Sequence, residues 1–599
     1  MTMAQALARF LKNQRVEQFD GAFLPLLHGI WGIYGHGNVN GVGEALWEYR
    51  KEIPYFRGQN EQGMSLAAIA FAKAQRCRQI MGVTTSIGPG ATNCVTACAL
   101  AHVNRLPVLF LPGDVFASRR PDPVLQQLED ERSPLRSVND CFQPVSRYFD
   151  RITRPEQLIE SLPQAVRVLL SPAERGPVTL CLPQDCQTEV FDYSEELFAE
   201  KVHYIERPEP DERALERAVR LLKRAQTPFL IAGGGVQYSG AEKTLKDFVE
   251  KHQIPIAETQ AGKGALPWDH PLNLGAIGVT GSDAANRTAE NADLILCVGT
   301  RLTDFTTSSK SLFHRKGVSF VAINTHPFDA IKGSGEALVA DAQKGLEKIS
   351  LKLDAFSYSN EIEGTVQEWR EKQKEMLASS SGRPSDAEVL AAVNKAIGKK
   401  GTVVCAAGGL PGELHKHWRA HDAGSYHVEY GYSCMGYEIA GGLGVKFACP
   451  ERDVVVLVGD GSYLMLHTEL LTAVQLGIDI QIVLLDNHGY GCINRLQKES
   501  GSPPYGNLFE ERTPDFVMNA KSYGCHAEKV DSIEGLKQTV EKNSKRKGPS
   551  LIVIETDPQK ATPSYGWWDV PIAAVSSEPT VREKRKSYQE RLENLHGRQ

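Results

Sequence analysis

The 12 cysteines of this chain form no CxxC pair; Cys94/Cys98 and Cys181/Cys186 come closest, and several others, such as Cys297 in ADLILCVG, sit in apolar strands. That usage reads as buried thiols in a reducing cytosol and argues against a disulfide framework. No stretch approaches the ~18 uninterrupted apolar residues of a membrane span. The amino end, MTMAQALARFLKNQ, lacks a signal-peptide pattern, so a cytoplasmic location is expected, away from membranes. There is no excess of basic charge either: 67 Lys and Arg against 73 Asp and Glu give a net charge of −6, which leaves no footprint for nucleic acid. Repeats of 20–50 residues and long low-complexity tracts are missing, which excludes a solenoid.

What is present is an ordinary globular composition, 41% apolar and 23% charged, spread over 599 residues. That length exceeds a single core. Strand-like runs alternate with helical stretches in three blocks: 1–190, 206–355 and 386–599. The polar runs ERPEPDERA (206–214) and 355–385 read as boundaries. The expected fold is α/β, with three doubly wound parallel-sheet domains. A charged, helix-prone tail closes the chain after the aromatic segment SYGWWDV (564–570).

The most informative segment is VVVLVGDGSYLMLHTELLTAVQLGIDIQIVLLDNHGYG, read as strand, Gly-Asp-Gly turn, helix, strand and Asp-Asn-His-Gly turn. Two parallel strands joined by one crossover helix bring their polar turns to the same carboxyl edge. Asp460 and Asn487 can then offer two hard oxygen ligands to one small cation, and Mg²⁺ commonly takes one or two protein oxygens beside phosphate and water. Gly461 and Ser462 open the helix, where free N–H groups favour a diphosphate. A separate Asp-Gly turn and an unrelated Asp-Asn turn would produce the same letters.

This arrangement resembles the diphosphate–metal motif of thiamine-diphosphate (ThDP) enzymes. Near the amino end, Glu61 precedes the Ala-rich stretch Gly63–Ala74, and SIGPGATN (86–93) follows a strand. That order resembles the pyrimidine-binding domain of acetohydroxyacid synthase-like enzymes, and taken alone Glu61 would read as a first-turn glutamate facing the helix dipole. The resemblance implies a pyrimidine-binding, a central and a diphosphate-binding domain. It implies that Glu61 activates the cofactor, that Asp460, Asn487 and the Gly489 carbonyl bind the metal, and that Gly409 and Met435 touch the cofactor. Most members have Asn-Asn where this chain has Asp486-Asn487, which alters the local charge. The segment ETQAGKGALPWDHPLNLGAIGVTG (258–281) is similar to the part of the synthases that holds FAD, but the lone Gly233-Gly234-Gly235 is weak support, and FAD is not expected.

Three further stretches, GIYGHGNVNGVGEAL, YHVEYGYSCMGYEIAG and DNHGYGCINRLQ, together with LPGDVFASRRPDPVLQQLE and the WW tail, resemble the family of trihydroxycyclohexane-1,2-dione hydrolases of inositol catabolism. The implied activity opens a cyclic polyhydroxy 1,2-diketone with water, giving 5-deoxyglucuronate, in a homodimer or homotetramer with shared active sites. Acid–base candidates are His36, His488 and His427, each of which would equally serve as a turn residue. The alternatives are a 2-oxo acid carboligase or decarboxylase on the same cofactor, and an inactive ThDP-fold binding subunit.

Overall fold

The computed structural model describes residues 1–118, 120, 124–128, 130–133, 136–333, 335–357, 359–378, 382–509 and 513–596. Parts of the stretch 111–129, of the polar boundary 355–385 and of the last block thus lie outside the described residues.

Three six-stranded sheets, all of whose strand pairs are parallel, carry the chain. In the first, the spatial order is Tyr55–Phe56, Leu27–Ile33, Ile80–Thr85, Leu109–Asp114, Val178–Pro183, Tyr148–Arg151. In the second it is Asn273–Ala276, Ile256–Glu258, Pro228–Ala232, Leu294–Val298, Ser319–Asn324, Glu336–Val339. In the third it is Tyr426–Val428, Gly401–Cys405, Asp453–Gly459, Ile480–Asp486, Ser550–Glu555, His526–Val530. The central strands are buried on both faces, as parallel sheets flanked by helices require, and this is why they read as continuous apolar runs. A small mixed sheet of Phe23–Pro25, Gln14–Glu17 and Lys201–His203 ties the amino end to the start of the linker.

The first and third units share one core. The helix Glu61–Ala74 packs on Tyr437–Ala448, and both contribute to a single apolar cluster. The central sheet has its own cluster, to which the helix Ser359–Met376 adds Ile362, Val366 and Trp369. This helix occupies most of the stretch that reads as a polar boundary: only one stripe of it is apolar, so composition alone hides it. The aromatic tail also lies on the central unit. Asn286 donates to the Tyr565 carbonyl at 2.9 Å, Ser308 to that of Trp567 at 2.7 Å, and Tyr565 meets Trp369 edge to face. A closing helix, Pro579–His596, follows.

Candidate active site

Strands Asp453–Gly459 and Ile480–Asp486 pair in parallel with Gly459 opposite Leu485, so the two polar turns that follow them adjoin. Asp460 begins the helix Asp460–Leu466, capped by extended Gly459. Its carboxylate accepts from the Gly461 N–H and from the Gly489 N–H, each at 2.8 Å, which clamps one turn onto the other. His488 and Gly489 both have positive φ, +60° and +146°, and the second is a backbone that glycine adopts without strain.

The metal assignment can be tested on the polar atoms themselves. Asn487 Oδ1 is buried without a hydrogen-bond partner, an arrangement that costs free energy unless something else binds it. Burial, reinforced by the charge of Asp486, pushes the Asp460 carboxyl up to about 7, as for a carboxylate lacking a countercharge. No cluster of three or more His, Cys, Asp or Glu side chains suited to a metal exists among the described residues. A cation here would therefore need amide, backbone and phosphate oxygens, the donor set that suits Mg²⁺. These residues fit such an ion.

The third unit carries further sequence candidates. Gly409 precedes the helix Leu410–His417, and a Cβ there would collide with the Arg495 guanidinium. Met435 is half-buried at the edge of the shared core. The Ser462 hydroxyl is committed: it donates to Glu438 and accepts from the Gly436 N–H at 2.9 Å, so only its backbone N–H remains for a diphosphate. His488 Nδ1 lies 3.3 Å from Asp486 Oδ1 and Nε2 3.9 Å from Glu555. His427 is interior; its Nε2 meets the Tyr437 hydroxyl at 2.7 Å, and burial pushes its pKa down.

Glu61 is the first residue of its helix, with Asn60 as cap. Its Oε2 accepts from Asn93 Nδ2 at 3.0 Å, and a Cβ on Gly90 would come within 3.1 Å of Oε1. The Gly-Pro-Gly-Ala-Thr-Asn turn is thus the seat of this carboxylate. His36, at the carboxyl edge of the same sheet, meets the Leu125 carbonyl at 3.1 Å. No hydrogen bond joins Glu61 to Asp460 or Asn487 among the described residues. The two halves are linked within the chain by neighbours instead, Gln62 to Cys434 Sγ at 3.7 Å and Asn60 to Glu469 at 3.1 Å.

Sequence reasoning missed Glu438. Its buried carboxylate accepts from the Ala407 N–H at 3.3 Å, the Gly436 N–H at 3.1 Å and the Ser462 hydroxyl, drawing together three loops that carry cofactor candidates. A lone acid inside the apolar helix YEIAGGLG was the available signal. A cavity of about 400 Å³ lies elsewhere, at the carboxyl edge of the central sheet, lined by Gly233–Gly235, Gly299, Arg105, Arg175 and Arg301.

Models of the thiamine pyrophosphate enzyme N-terminal, central and C-terminal domains match residues 1–133, 215–349 and 406–554. A protein of Geobacillus thermodenitrificans, a 3D-(3,5/4)-trihydroxycyclohexane-1,2-dione hydrolase, is 45% identical over 631 aligned residues, 99% of this chain and 98% of the relative. The chain belongs to the 3D-(3,5/4)-trihydroxycyclohexane-1,2-dione hydrolase family of thiamine pyrophosphate enzymes. Family proteins of the same name from Clostridium tetani and Bacillus anthracis are each 43% identical, again over 99% of this chain and 98% of the relative. Membership in this family makes the chain an enzyme whose first and third units are thiamine diphosphate-binding domains. No helix among the described residues is long and apolar enough to cross a membrane.

Proposed function

We propose that this enzyme hydrolyses the bond between the two carbonyl carbons of a trihydroxycyclohexane-1,2-dione, using ThDP and Mg²⁺, and releases 5-deoxyglucuronate. The end-to-end similarity to hydrolases of that name carries the reading. Twelve free thiols suit the cytoplasm as its compartment.

Bound ThDP supplies a carbon nucleophile and an electron sink, which breaking a bond between adjacent carbonyl carbons demands. The chain does the rest. Asp460, the free Asn487 Oδ1 and the Gly489 carbonyl would hold Mg²⁺, and the backbone N–H of Ser462 would face the diphosphate, that of Gly461 being taken up by the Asp460 carboxylate. Gly409 and Met435 would lie against the cofactor, the second as an apolar support. Glu61 would hydrogen-bond the pyrimidine ring nitrogen and shift a proton there. Histidines 36 and 488, both half-buried beside polar turns, are the groups to move protons to and from water. One water adds across the bond, leaving a carboxyl group on one carbon and an aldehyde on the other. No electrons are gained or lost overall, so the reaction needs no flavin.

The assembly we infer is a homodimer or homotetramer in which Glu61 of one subunit faces the diphosphate site of another. Supporting this, Tyr432, Leu464, Met465 and Ile493, close in sequence to Met435, Asp460 and Asn487, are large apolar side chains left exposed in the single chain.

Incubation of the enzyme with ThDP and Mg²⁺, in parallel with the cyclic dione and with pyruvate, tests the activity by NMR of the products. The dione should yield the aldehyde-acid. Acetolactate or acetaldehyde from pyruvate, with the dione untouched, would instead establish a carboligase or decarboxylase.

A further inference from the structure

Glu469 opens the helix Glu469–Leu476 of the third unit and is 1% exposed. Its carboxylate reaches out of that unit. It accepts from the backbone N–H of Asn60 at 3.1 Å and from Thr472 Oγ1 at 2.7 Å. Asn60 is the cap of the helix whose first residue is Glu61, and its own side chain accepts from Gln62 N at 2.8 Å and Gly63 N at 3.4 Å. The cap residue is therefore held from both sides, by its own amide inside the first unit and by a carboxylate from the third. Gly63 is fitted to this contact: a Cβ there would collide with the Glu469 carboxylate.

For a purely structural tie this is an expensive choice of group. Glu469 forms no ion pair among the described residues, and the charged group that acts on it is another carboxylate, Glu61. Burial, with a smaller push from Glu61, raises its carboxyl to about 7. A neutral amide, or a cation elsewhere in the pocket, would join the two units more cheaply. What the carboxylate does provide is a pair of acceptors, one oxygen anchored by Thr472 in its own helix and the other holding the Asn60 N–H immediately before Glu61.

We propose that Glu469 is a positioning residue for the cofactor-activating glutamate: by holding the cap residue Asn60 it fixes the direction from which Glu61 meets the pyrimidine ring. The inference rests on the assignment of Glu61 made above. It also makes the third unit's helix, which leads on from the Asp460 turn, part of the frame of the carboxylate in the first unit.

The test measures hydrogen–deuterium exchange at C2 of bound ThDP by acid quench and NMR, alongside the ThDP dissociation constant and thermal stability, for holoenzymes carrying Glu469→Ala, Glu469→Gln and Glu61→Gln. Glu469→Ala should slow exchange on the order of 10²-fold, the usual effect of a misplaced catalytic group, with ThDP affinity within about threefold of the parent. Glu469→Gln keeps an acceptor toward Asn60 and should restore exchange to within about tenfold. Normal exchange in Glu469→Ala beside a silent Glu61→Gln overturns the positioning role alone. Normal exchange in Glu61→Gln overturns the assignment beneath it. Parallel loss of stability and ThDP binding in Glu469→Ala, without rescue by Gln, makes Glu469 a structural tie and also overturns the inference. If Glu469→Ala is insoluble, Glu469→Asp decides the question: it keeps the charge but withdraws from Asn60, and it should slow exchange like Ala.

Discussion

Gly444 lies directly against the carbonyl oxygen of Ala67, so that any Cβ at 444 would collide with it, and with the Ala70 methyl and the Phe71 amide beyond. These atoms belong to the two helices that join the first and third units. The close approach lets Glu61, at one end of its helix, take its place from the packing of the other unit. Gly444→Ala should force the helices apart and destabilise the protein by about 1–3 kcal/mol, typical of overpacking. Urea unfolding of the apo-enzyme measures this; an unchanged midpoint would show that the interface yields at no cost.

Removal of metal ligands should separate charge from geometry. Asp460→Ala deletes an anionic ligand and the acceptor that holds the Gly489 N–H, so ThDP affinity in Mg²⁺ should fall steeply. Asn487→Ala deletes a neutral acceptor that has no protein partner, so its effect should be milder and should not reduce apo-protein stability. Titration calorimetry and thermal melts report both quantities. Equal ThDP affinity in all three proteins would remove the metal assignment.

Glu438 predicts a pH dependence. Burial raises its carboxyl from the ordinary value of 4.5 to about 7. The folded chain therefore keeps a proton that the unfolded chain has already lost, and stability is full below about 4.5 and declines as pH rises through about 7. The decline amounts to something on the order of 3 kcal/mol. In Glu438→Gln the slope of apo-protein stability between pH 5 and 8 should flatten, whatever happens to its absolute level. A slope identical to that of the parent would assign the dependence to other groups, Glu469 among them.

Mixing tests the shared site. Glu61→Gln and Asp460→Ala should each be nearly inactive. After subunit exchange, half of the dimers are mixed, and a two-fold interface gives each mixed dimer one intact site of its two. Recovery of roughly a quarter of parental activity is expected by that symmetry. Mixed dimers confirmed by mass spectrometry but no more active than the single variants would place Glu61 and Asp460 of one chain in the same site.

The sequence made the central strands readable because parallel strands buried on both faces are written as apolar runs, as in VVVLVG and IQIVLL. Edge strands such as Tyr148–Arg151 and His526–Val530 carry polar residues and show no such run. The placement of the candidates was readable where it is local: Asp460 and Asn487 follow strand ends, and Glu61 opens a helix. Glu438 and Glu469 were not, since their partners Ala407 and Asn60 are distant in sequence and meet them only through packing. Ser462 shows the converse: its place in the turn was correct, but its hydroxyl turns inward to Glu438, a direction no motif encodes.

The aromatic tail on the central unit has a consequence for synthesis. Gly278, Asn286, Ser308 and Trp369, which receive residues 565–567, leave the ribosome long before those residues exist. At about 5–20 residues per second, the face stays uncovered for roughly ten seconds or more while the whole third unit is made. The central unit is thus finished last, although it lies in the middle of the chain. A ribosome that stalls within the third unit leaves an unfinished, sticky surface on a domain whose own sheet is complete.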